Sequence, residues 1–134
     1  MAEPRKVLLN PLSLRPLWVE LFFGQTHLGQ ATCFSWTEGH ASFLITNWHV
    51  VSGRHPETRQ ALRDDGGIPD RLEVSLHREE RLGAWDTYSV PLCDNDGRPV
   101  WLEHPIHGPR VDVVAIPFAA PAGLRHYSLN SLVS

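Results

Sequence analysis

An all-β fold, an antiparallel barrel of six to seven strands, is predicted by three features of the sequence. Short runs of β-branched and aromatic residues alternate with polar ones at the period of a half-buried strand. Clusters of Gly, Asn, Asp and Pro separate these runs and suit hairpin turns. Helical periodicity is subordinate along the chain. Closing such a meander into a barrel removes the exposed strand edges that an open sheet leaves.

The first three strands are predicted over Leu17 to Phe23, Gly29 to Trp36 and Ala41 to Thr46, joined by the short turns Gly24 to His27 and Thr37 to His40 as in consecutive antiparallel hairpins. Between Ser52 and Asp70 the composition turns polar and turn-rich. There the chain reads as a short helical turn after His49, then a surface loop. Loops of that length in a compact domain are commonly functional or mobile, and this one either shapes substrate entry or is an excursion without a role. Arg71 to His77 and Trp85 to Leu92 are the next strands. The turn at Asp94-Asn95-Asp96-Gly97, whose residues tolerate positive φ, leads to Pro99 to Leu102, and Val111 to Pro117 is the last strand. Residues 1–16 read as an N-terminal arm and 17–120 as the barrel.

Composition agrees with one compact soluble domain. The 134 residues are 42% hydrophobic and 20% charged, enough for a single core. A formal net charge of -3, with Lys and Arg scattered and not interleaved with aromatics, argues against a nucleic-acid partner. No run has the length of a membrane span, and the first ten residues lack the apolar core of a signal peptide. The expected location is therefore the cytoplasm.

Two residues carry the chemistry. His49 stands just past the apolar run Ser42-Phe43-Leu44-Ile45, within Thr46-Asn47-Trp48-His49-Val50, where imidazole is a candidate general base. Asp112 heads the otherwise apolar stretch Val111 to Ile116, and an acid at such a place needs hydrogen-bond partners. Taken singly, His49 reads more readily as a packed or surface histidine and Asp112 as a strand-start residue. Their context reverses that reading. Thr46 and Asn47 are expected to hydrogen-bond the turn around the histidine, and Trp48 and Trp101 to pack.

On these motifs, Gly29 to Phe34 followed by Phe43 to Val51, with Asp112-Val113-Val114-Ala115-Ile116, the chain resembles trypsin-like serine peptidases of the chymotrypsin fold, closest to bacterial ones. Trp101 to Pro105 adds to the likeness, which spans roughly Leu17 to Phe118. The histidine motif is the specific part, and the aspartate motif alone is weak. The resemblance implies that this chain is the first of that family's two barrels, with His49 as general base and Asp112 orienting it. One departure stands out. Only 22 residues follow Asp112, and Ser128, Ser131 and Ser134 lack the Gly-x-Ser-Gly context of the family's nucleophile. The serine, and the oxyanion hole formed around it, are then expected outside this chain, with residues 121–134 starting a linker toward an absent second barrel. In this family the pocket that selects the residue before the scissile bond lies in that second barrel.

Other chemistries are weaker. Cys33 and Cys93 are expected to be free, and a Cys33–His49 nucleophile pair is disfavoured because a buried thiol is commonly inert. His104 and His107 with His77 or Glu103 suggest zinc, but there is no Cys-x-x-Cys or His-Glu-x-x-His, and proline lies between the two histidines. Asp94 to Gly97 lacks the later ligands of a calcium loop. No cofactor or metal is expected.

Two functions from different classes follow. The first is the N-terminal half of a serine endopeptidase, with a protein or peptide substrate and a second barrel of the same parent protein as partners. The alternative is a noncatalytic, peptidase-like β-barrel module that binds a peptide or protein. In either case an exposed interdomain face predicts self-association or a mobile C-terminal tail.

Overall fold

The computed structural model describes residues 15–132. The chain is all-β and antiparallel, with seven strands in one sheet. In chain order these are β1 (Leu17–Phe23), β2 (Thr26–Glu38), β3 (Ala41–Thr46), the one-turn helix α1 (Trp48–Ser52), β4 (Arg71–Arg78), β5 (Arg81–Pro91), β6 (Val114–Phe118) and β7 (Leu124–Arg125). The hydrogen-bonded order is β5-β4-β1-β2-β3-β6, and β7 adds to β4. Among the described residues no helix is long and apolar enough to cross a membrane.

β2 organises the fold because it is long enough to serve two partners. Thr26 to Cys33 pair with β1, and Phe34 to Glu38 pair with β3. Alternation then sorts the side chains into two faces. Leu17, Val19, Cys33, Leu44, Leu72, Val74, Leu76, Val114 and Ile116 turn inward and are almost wholly buried. Fully burying side chains of this size gains roughly 1.5–3 kcal/mol each, and this core holds the sheet together.

The sheet is not closed into a barrel by a continuous ladder. β5 and β6 end the pairing path, and residues 92–102 make isolated bridges, Cys93 with Pro99 inside the segment and Leu102 with Ala115 of β6. This corrects the strand expected over Pro99 to Leu102. Prolines at 91, 99, 105 and 109 lack the N–H that a ladder needs, so the segment makes isolated contacts where it might have made a run.

Three further expectations shift. β2 and β5 both extend beyond the predicted strands: β2 runs into both of its turns, and β5 starts early because the charged run Arg78-Glu79-Glu80-Arg81 hides a tight hairpin with a bulge at His77/Arg78. Asp112 lies two residues before β6 and not at its head. Residues 121–132, read as a linker, lie against the sheet: β7 pairs with His77 and Arg78, and Asn130 holds both the N–H and the carbonyl of Thr37. The N-terminal arm lies outside the described residues except for Arg15 and Pro16.

Candidate active site

The β3–β6 ladder brings the two candidate residues together. Thr46 pairs with Val114, and continuing that register sets residue 48 opposite residue 112. α1 turns the chain at that point. Trp48, Val51 and Ser52 face the interior, which leaves His49 half-buried on the outer side. The turn ends at Gly53, whose φ of 66° is left-handed and whose N–H caps the His49 carbonyl at 3.1 Å. A side chain there would also press on Pro69 and the Gly67 carbonyl, so glycine is required on both counts.

Three hydrogen bonds fix Asp112 to this turn. Its Oδ2 lies 2.5 Å from His49 Nδ1, and its Oδ1 accepts the His49 backbone N–H at 2.9 Å. Asn47 Nδ2 donates to the Asp112 carbonyl at 2.9 Å. The carboxylate therefore holds the ring and the backbone of the same residue, which fixes the imidazole about both χ angles. With Oδ2 accepting, the ring proton sits on Nδ1 and Nε2 presents a lone pair. Among the described residues Nε2 has no hydrogen-bond partner. The His49 and Asp112 side chains are 40% and 32% exposed and line an open cleft of about 870 Å³ with residues of the 55–62 loop and Arg110.

The motif residues around His49 divide by role. Thr46 Oγ1 donates to the Thr32 carbonyl at 3.2 Å, tying the end of β3 to β2. Asn47 does not cap the helix with its side chain and holds Asp112 instead. Trp48 is buried, as expected, but Glu103 gives both tryptophans a polar role: its Oε1 accepts the indole N–H of Trp48 at 3.0 Å and of Trp101 at 3.1 Å. Spacing alone could not have found this pairing across 55 positions.

The alternative chemistries separate from the site. Among the described residues no group of His, Cys, Asp and Glu could hold a metal ion. His104 Nδ1 accepts the N–H groups of Ile106 and His107, which makes it a turn residue, and its ring stacks on His107 at 5.0 Å. Asp94 Oδ1 accepts from the N–H groups of Asp96 and Arg98, so this carboxylate shapes the hairpin. A His–Ser contact away from this site, His126 Nδ1 to Ser35 Oγ at 2.7 Å, joins β2 to the last segment, but Ser35 is wholly buried and burial lowers the pKa of His126.

Cys33 is in the core at 1% exposure, opposite Leu17, and burial pushes its thiol up to about 12. A thiol so disfavoured as thiolate is no nucleophile near neutral pH. Native chain treated with a thiol reagent at pH 8 is expected to lose only Cys93, with Cys33 reacting after denaturation. Equal native reaction rates at both cysteines would contradict the buried placement.

Among the described residues that line the cleft there is no serine, threonine or cysteine. Compared with protein-family models, curated proteins and solved structures, the chain gives no match. The functional reading therefore rests on the geometry of the site and on the sequence motifs.

Proposed function

We propose that this chain is the His/Asp-bearing barrel of a trypsin-like serine endopeptidase. The observation that carries the reading is the pair of contacts from one carboxylate to the ring nitrogen and backbone N–H of His49, with Nε2 free toward a cleft. In this role Nε2 takes the proton of an attacking serine and returns it to the leaving amine. Asp112 keeps the ring in the required tautomer and stabilises the imidazolium that forms, without taking the proton itself. The serine and the oxyanion donors come from a second barrel.

The outer face of β2, β3 and β6 supports that partner. Cross-strand register lines up Phe34, Ile45, Ala115 and Leu102 in one row and Trp36, Phe43 and Pro117 in the next. Leu102 is 56% exposed and Trp36 37%. Apolar side chains gathered on a sheet's outer face mark an interaction surface. This one flanks the strand that leads to His49 and the strand that follows Asp112, so a barrel docked on it would bring a nucleophile near Nε2. The same face, when uncovered, would drive self-association. The two unbridged cysteines fit a reducing compartment, and the cytoplasm is the location proposed.

The test uses the natural polypeptide that carries this chain. Treated with a fluorophosphonate, it is expected to be labelled on one serine outside residues 15–132 and to hydrolyse an unstructured protein substrate. His49→Ala should abolish both. Absence of labelling and of hydrolysis with the dyad intact would favour the peptide-binding module.

A further inference from the structure

The loop that follows α1 is built to hold one arginine in the cleft. Arg59 is the one non-glycine residue with positive φ among those described, at 64°. Left-handed backbone is unfavourable for a side chain of this kind, and such outliers gather at functional sites. The surroundings enforce it. Arg59 N–H donates to the His55 carbonyl and His55 N–H to the Gln60 carbonyl, each at 2.8 Å. Arg54 Nη1 donates to the Arg59 carbonyl at 2.8 Å. The loop is closed at its base by Leu62 N–H on the Gly53 carbonyl at 2.8 Å. Held this way, the Arg59 guanidinium lies over the Trp48 ring, 5.1 Å from its centroid, one residue along the chain from His49. Trp48 is itself fixed by Glu103.

Arg110 lines the same cleft from the opposite segment, two residues before Asp112. Arg63, Arg71, Arg78 and Arg125 each have a carboxylate within 4.0 Å, whereas among the described residues Arg59 and Arg110, like Arg54, Arg81 and Arg98 outside the cleft lining, have none. The lining holds two carboxylates, Glu57 and Asp112; Asp112 keeps its charge but has both oxygens occupied by hydrogen bonds from His49, so neither oxygen is free to pair with a guanidinium. The planar N–H fork of a guanidinium suits carboxylate recognition, and stacking on an indole reduces the freedom lost when one binds.

We propose that this side of the cleft selects peptides with an acidic side chain close to the bond to be cut, and that Arg59 and Arg110 receive that carboxylate. The inference rests on the peptidase reading for its consequence, but binding can be measured without the nucleophile. The 134-residue chain is titrated with acetylated Ala/Ser peptides carrying one central Glu, and with the same peptides carrying Gln, while resonances of His49, Arg59 and Arg110 are followed by NMR. The Glu peptide is expected to bind about tenfold more tightly, as a charge-assisted contact allows. High salt should close the gap. Arg59→Gly should remove the preference while keeping the fold, since glycine adopts the required φ without strain. Arg110→Gln should reduce it. Equal binding of the two peptides, or a preference that survives Arg59→Gly, would overturn the inference. If that occurs while fluorophosphonate labelling of the natural polypeptide stands, only the acidic preference fails. If labelling fails while the Glu preference holds, only the peptidase reading falls.

Discussion

Asp112→Asn is expected to lower kcat of the serine-bearing protein by about 10⁴-fold while leaving KM little changed, because it reverses the ring tautomer without removing a hydrogen bond. The asparagine oxygen still accepts the His49 backbone N–H, as Asp112 Oδ1 does at 2.9 Å. The amide nitrogen then takes the place of Oδ2, 2.5 Å from Nδ1. Being a donor, it requires Nδ1 to accept, and the ring proton moves to Nε2. A protonated Nε2 has no lone pair for the serine proton, so the base is present but in the wrong form. The same change is visible without turnover. In the unsubstituted chain the Nδ1 proton, held against a carboxylate, should give a strongly deshielded NMR signal, and Asp112→Asn should abolish it. A variant that keeps both the signal and near-normal kcat would remove Asp112 from the mechanism.

The two residues that meet, His49 and Asp112, were legible in the sequence because each sits beside a short apolar run, Phe43 to Ile45 and Val113 to Ile116, that reads as a strand. β1 and β3 have the predicted limits, and β3 delivers His49 while β6 follows Asp112. What was hidden depends on contacts between distant segments. Asn47 reads as a local turn residue, yet its side chain reaches the backbone of Asp112, 65 positions away. Glu103 reads as a candidate ligand beside two histidines, and it joins two indoles instead. Arg59 carries no signal, since a left-handed φ is announced by Gly or Asn and not by arginine. The Pro99 to Leu102 stretch misled in the opposite direction: its apolar residues suggested a strand that its proline-rich flanks do not let propagate.

Leu44→Ala is expected to destabilise the chain by about 2–5 kcal/mol, the range for a leucine removed from a close-packed core. Leu44 is fully buried at the centre of β3, opposite Ser35 on β2 and Ile116 on β6, both also at 0% exposure. Neighbours so enclosed by ladder hydrogen bonds cannot collapse into the space, so the cavity cost adds to the lost burial. With about 5–15 kcal/mol typical of a whole domain, the variant should still fold, but with a clearly lower urea midpoint and an unchanged slope. Ile106→Ala, at 80% exposure, should stay within about 0.5 kcal/mol and serves as the comparison. The consequence extends to the site. Leu44 and Ile116 pair two residues back from the strand ends, Thr46 and Val114, that position His49 and Asp112, so a cavity there loosens the register on which their contact depends. The Nδ1 proton of Leu44→Ala should exchange with solvent faster than in the unsubstituted chain well below the unfolding midpoint. A loss under about 1 kcal/mol would show that the β3–β6 seam repacks freely, contrary to the close packing that holds the dyad in place.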